Sequence, residues 1–213
     1  YQNNYYFLLP LNMLSLLLAS LQKYAVFSKV MLTDVSKDWQ KIGFYGPFLK
    51  DLLNEQKLYI AKENEVTEFN NKLSLSIPGP SPRIILLVPT SEPIGFIDAL
   101  EQQNIDHWHL LDIMAGIPTI YPETSGQFTP HQLNFPQLKG VSFNKGCYIG
   151  QEIIARTHYL GKSKSRLYRV SFQANNPPLP GTTLFDSDQK IEKGTLIMCA
   201  KEQGNCYQAL ACL

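Results

Sequence analysis

The segment Lys145-Gly146-Cys147-Tyr148-Ile149-Gly150-Gln151-Glu152 holds the residues best suited to chemistry. Two glycines flank a Cys-Tyr pair in a short turn, a spacing that lets backbone approach a ligand closely or take a positive φ. The residues that follow predict a helix over Gly150–Tyr159, ended by Gly161, so Cys147 sits just ahead of a helix N-terminus. That terminus and Lys145 would both favour the thiolate, the form that attacks electrophiles and binds metals. The same turn equally suits a buried, inert cysteine, because free cysteines are often buried.

Positive charge gathers around this segment. Lys139, Lys145, Arg156, Lys162, Lys164, Arg166 and Arg169 face the single acid Glu152, although the net charge of the whole chain is only +1. Such a patch suits an anion, whether a polyglutamate tail, a phosphate or an RNA backbone; it also suits a plain solvated helix face. Trp108, in Asp106-His107-Trp108-His109, could stack on a flat heterocycle or fill a core. The two histidines lie two apart, on different faces of a helix, which argues against joint metal ligation. Cys199, Cys206 and Cys212 have wide, irregular spacing and read as core residues; no metal site is expected. The sequence contains no GxGxxG, Walker loop, HExxH or GxSxG, which argues against several common enzyme classes.

These residues need elements to position them. The 213 residues are 44% hydrophobic and 17% charged, enough for a real core in one large or two small domains. Asn4–Leu9 reads as a buried strand, and Asn12 as the cap of a helix to about Tyr24 with Leu14, Leu17, Leu18 and Leu21 on one face. Strands follow at Lys29–Thr33 and Gln40–Tyr45, then a helix from Gly46-Pro47 through Leu53. Arg83–Val88 is a buried strand, and Ser91 caps a helix over Ile94–Gln103. Trp108–Met114 is helical and stops at Gly116. The stretch Tyr121–Leu138 has few helix or strand signals, as a long functional or disordered loop would. Arg166–Phe172 alternates like a strand, and turn residues then divide the tail into short hairpins.

The expected fold is therefore α+β, with ferredoxin-like pieces followed by a small β-barrel or sheet, and a boundary near Gly161–Ser165. The first domain would be residues 1–162 and the second 163–213. The chain opens at Tyr1 directly into apolar sequence, and an N-terminal part is expected to precede it. Pro10, Asn12, Ser15 and Ser20 interrupt the leucine-rich start, so neither a membrane span of ~20 apolar residues nor a signal peptide is expected. The cytoplasm is the default location, with reduced thiols.

The motif from Lys145 to Glu152 is similar to the Lys-Gly-Cys-Tyr/Phe-x-Gly-Gln-Glu signature of the YgfZ-type folate-binding proteins. These are relatives of the aminomethyltransferase T-protein of glycine cleavage. Ala115-Gly116-Ile117-Pro118, Ser125-Gly126-Gln127-Phe128-x-Pro130, Asn134 and Gly140-Val141-Ser142-Phe143 resemble the family's approach to the motif, and Ala155-Arg156 its continuation. Upstream, Leu21–Val30 resembles a helix-to-strand segment of the family.

The resemblance implies an aminomethyltransferase-like, folate-binding body followed by a β-barrel, with tetrahydrofolate or a derivative as cofactor. It implies an accessory factor rather than a turnover enzyme. Its clients would be iron–sulfur enzymes such as a tRNA methylthiolating enzyme, with tRNA affected through them. Cys147 would be the functional thiol and Trp108 a folate contact. A second contacting Trp would lie in the N-terminal part. Two positions depart from the pattern. Met114 stands where many relatives have Glu, and a thioether cannot accept pterin N–H bonds as a carboxylate does. Asn144 stands where Lys is common. A true aminomethyltransferase and a direct tRNA-binding module are the alternative readings.

Overall fold

The computed structural model describes residues 4–55, 62–161, 163–186, 188 and 190–213. The chain is α+β and divides into two compact units, Tyr1–Asn104 and Ile105–Leu213. No described helix is long and apolar enough to cross a membrane.

In the first unit, α1 (Leu14–Ser28) follows a 3-10 turn at Leu11–Met13. Leu14, Leu17, Leu18, Leu21 and Ala25 form its better-covered face, while Leu16, Val26 and Phe27 are exposed. Met13, not Asn12, is the N-cap, and no side chain caps the helix. The helix outruns its expected end and stops where Lys29 turns left-handed, at φ 52°. That turn replaces the strand expected at Lys29–Thr33, and Val30 and Met31 are left exposed. Asn4–Leu9 is likewise not a strand. Tyr5 is 93% exposed, and among the described residues no ladder pairs this segment. Aromatic β-propensity without a partner strand does not make a strand.

β1 (Trp39–Tyr45), β2 (Val66–Phe69), β3 (Lys72–Ser76) and β4 (Arg83–Pro89) form an antiparallel sheet ordered β1-β4-β3-β2. The unbroken apolar run of β4 reflects its place between two neighbours, buried on both faces. Ile84, Leu86 and Val88 pack with Phe44 and with Leu49 and Leu53 of α2 (Leu49–Glu55). The β2–β3 hairpin turns through Asn70 and Asn71, both at positive φ (42° and 60°), as a two-residue type I′ connection requires. The helix expected at Ile94–Gln103 is only a 3-10 turn, Ile97–Ala99. Ile94, Ile97 and Leu100 recur every third residue, the 3-10 period, and pack on this core.

The second unit begins with α3 (Ile105–Ala115), which Gly116 stops at φ 69°. β5 (Leu167–Gln173), β6 (Thr183–Phe185), β7 (Glu192–Gln203) and β8 (Cys206–Cys212) form an antiparallel sheet ordered β5-β8-β7-β6. Ile113 of α3, with Leu110 beside it, packs against Ile197, Met198 and Leu210 of this sheet. The contact division therefore falls after Asn104, ahead of the sequence boundary near residue 162, because α3 buries its apolar face on the C-terminal strands.

The loop after α3 is tied down by side chains. Gln132 accepts from the Thr129 N–H (2.9 Å) and donates to Ser165 (2.8 Å), and the Asn134 amide donates to the Leu167 carbonyl (3.0 Å). Such bonds substitute for a backbone ladder.

Candidate functional site

α4 (Gln151–Leu160) begins where Gly150, at φ 90° and ψ −2°, reverses the chain. The Gln151 N–H donates to the Tyr148 carbonyl (3.1 Å), closing the turn. An L side chain at Gly150 would be strained, though a Cβ there would meet nothing within 4 Å. Gly146 differs: its φ is not positive and the space around it is open. Only one of the two motif glycines is thus demanded by the backbone.

The intervening residues are presented to solvent. Lys145, Gly146 and Cys147 are exposed, Tyr148 is 40% exposed, and Cys147 is a free thiol. The alternative of a buried, inert cysteine is set aside by this exposure. Glu152 lies in the first turn of α4, where a carboxylate complements the helix dipole, and Gln151 is half-buried. Arg156, one turn further, is exposed. An exposed thiol at the head of a helix can meet an electrophile, a metal or a partner's thiol without rearrangement of the fold.

The other cysteines belong to the C-terminal sheet. Cys212 is buried, while Cys199 and Cys206 are half-buried. Burial pushes the thiols of Cys199 and Cys212 up from their ordinary value. The Cys199 thiol donates to the Pro178 carbonyl at 3.4 Å.

Trp108 is half-buried on α3, with Met114 half-exposed near the end of the same helix. The carboxylate of Asp112 is buried. Trp108 and Cys147 thus lie on different elements of the same unit. Of the basic patch, Lys139, Lys145, Arg156, Lys164, Arg166 and Arg169 are exposed, and Lys162 lies outside the described residues. Among the described residues none of these cations forms an ion pair.

The fold also gathers an aromatic cluster that no sequence pattern marks. Phe143 stacks on His158 at 3.7 Å between centroids and 15° between planes, with Tyr159 edge-on to His158 at 4.8 Å. His131 completes the cluster, 6.1 Å from His158. These positions follow neither a helical nor a strand period, so only the tertiary fold brings them together.

The fold and site define an α+β protein that offers an exposed cysteine at the head of a helix, within a glycine-flanked turn. No family model matches the chain. It is similar to the tRNA-modifying protein YgfZ of Yersinia pestis (strain Pestoides F), 36% identical over 172 residues, covering 78% of this chain and 52% of the relative. The same protein of Yersinia enterocolitica is 35% identical over 172 residues, with the same coverage. The chain belongs to the YgfZ family and spans about half the length of the curated relatives it matches.

Proposed function

We propose that this chain is part of a folate-binding accessory protein that keeps iron–sulfur enzymes active and, through them, supports tRNA modification such as methylthiolation. The observation that carries this reading is the exposed Cys147 within the full family motif, on the turn that opens α4. The relatives' name, tRNA-modifying protein, supports the tRNA end of it.

In this reading the body is aminomethyltransferase-like and cytoplasmic, and it acts without turnover of its own. Folate, when bound, supplies a carrier for one-carbon units. The residues present fit it in part. Trp108 is half-buried on α3, and an indole is a ring type that stacks on heterocycles. Met114 offers no carboxylate to the pterin N–H groups, so orientation rests on stacking and shape. Lys139, Lys145 and Arg156, exposed and without an ion pair among the described residues, suit an anionic glutamate tail. Cys147 is the group that meets the client or its cluster, and Gly150 holds it at the helix head. Tyr148, Gly146, Gln151 and Glu152 shape that turn.

The same exposed cations favour a second reading, direct tRNA contact. It predicts tRNA binding that falls steeply with salt. A gel shift without salt-sensitive binding removes that reading and leaves the first untouched.

The first reading is tested by complementation with the full-length protein. Cells lacking their own copy receive wild type or Cys147→Ala, and methylthiolated tRNA is quantified by mass spectrometry. Wild type is expected to restore the modification and the variant to fail. Restoration by both would overturn the role given to Cys147.

A further inference from the structure

Below the C-terminal end of α4 lies a cleft of about 330 Å³, walled by the turn 131–137, the end of the helix and the lead into β5. Its polar lining is His131, Gln137, Thr157, His158, Ser163 and Arg166, with no carboxylate among the lining residues. We propose that this cleft binds the phosphate group of a small phosphate monoester.

Arg166 supplies the cation. Its backbone is pinned by reciprocal 2.9 Å bonds with Leu213, while its exposed guanidinium forms no ion pair among the described residues. A guanidinium so placed presents a fork of donors matched to phosphate oxygens. His158 is held in orientation by its stack on Phe143.

His131 is the most telling member. Both of its ring nitrogens are closed off from solvent and have no hydrogen-bond partner among the described residues. Native proteins rarely leave such atoms unsatisfied, and a group from outside the chain is one way to complete them. Among the described residues no hydrogen bond holds the ring, so a turn about its side-chain torsions would bring an N–H to the cleft. Desolvation, and then the nearby His158, hold His131 below its ordinary pKa. A bound anion removes part of that penalty.

Two features favour phosphate over other anions. Donors come from three separate elements, which suits a tetrahedral group better than a planar carboxylate. The hydroxyls of Thr157 and Ser163 already donate to the carbonyls of Ile153 (2.8 Å) and Ser165 (2.6 Å). Their oxygens remain acceptors only. They can take the proton that a phosphate monoester, with a second pKa of about 6, partly retains near neutral pH and sulfate does not.

The test is an NMR titration of the whole chain with inorganic phosphate, then glycerol phosphate, following the imidazole nitrogens at constant ionic strength against chloride and sulfate. Saturable shifts at His131 and His158 are expected with both phosphates, and weaker binding with sulfate. Arg166→Gln and His131→Phe should each weaken binding about tenfold or more, while Lys201→Gln on β7 leaves it within about twofold. Thermal melts establish that the variants fold; if one does not, His158→Gln takes its place. Shifts no larger than chloride gives, equal binding of sulfate, or equal weakening by Lys201→Gln would each overturn the proposal.

Discussion

The same side chain serves two opposite ends in this molecule. On β7 and β8, Cys199 and Cys212 sit in an antiparallel ladder, and burial raises both thiols. On the turn before α4, Cys147 stands in solvent, ahead of a glycine that only a positive φ explains. A cysteine's role is therefore set by backbone more than by its own chemistry. The ladder hides a thiol and keeps it protonated, whereas the turn exposes one.

The largest effect is expected where the ladder is tightest. A Cβ at Gly194 would lie 2.0 Å from the Cys212 carbonyl oxygen, so Gly194→Ala must part β7 from β8. We expect a loss of about 3 kcal/mol or more in urea unfolding. A smaller loss would mean the ladder yields easily there and the contrast between the two regions is weak. Next comes alkylation followed by mass spectrometry. Cys147 should react at least about a hundredfold faster than Cys212, which must await local opening. Comparable rates would erase the comparison.

A pH series sharpens the same point. The folded-state values of Cys199 and Cys212 are raised, so their contribution to stability is full below the unfolded thiol value of about 8.5. It is lost as pH rises through the folded values. The unfolding midpoint should fall from pH 8 to 10, and less steeply in Cys212→Ala. The smallest effect separates the motif glycines. Gly150→Ala should cost about 1–2 kcal/mol of stability for the left-handed backbone. Gly146→Ala should stay within about 0.5 kcal/mol.

Much of this was legible in sequence wherever the local signal and the tertiary demand coincided. β1, β4, α3, α4 and β5 lie close to where their apolar patterns and glycine stops place them, and the Lys145–Glu152 motif marked the exposed thiol. The misses have physical causes. Asn4–Leu9 has strand composition but no partner ladder among the described residues, and Lys29 ended a helix in a conformation its residue type does not announce. Asn70-Asn71 was a readable turn signal, flanked by strands too short to stand out by alternation. The cluster of His131, Phe143 and His158 had no signal at all, because residues so far apart in sequence meet only through packing.

Strand order also carries a kinetic consequence. In each sheet a run of sequence neighbours, β2–β3–β4 or β6–β7–β8, pairs in order, yet the strand that joins its last member is remote: β1 meets β4 from Trp39 to Pro89, and β5 meets β8 from Leu167 to Cys212. Local hairpins close in microseconds, whereas remote strands must first lose the entropy of a long loop. Folding is then expected to proceed hairpin first, with β1 and β5 docking late. Until β5 arrives, the edge of β8 stands open as a template for other chains, so the interval before docking is when the protein is most exposed to aggregation.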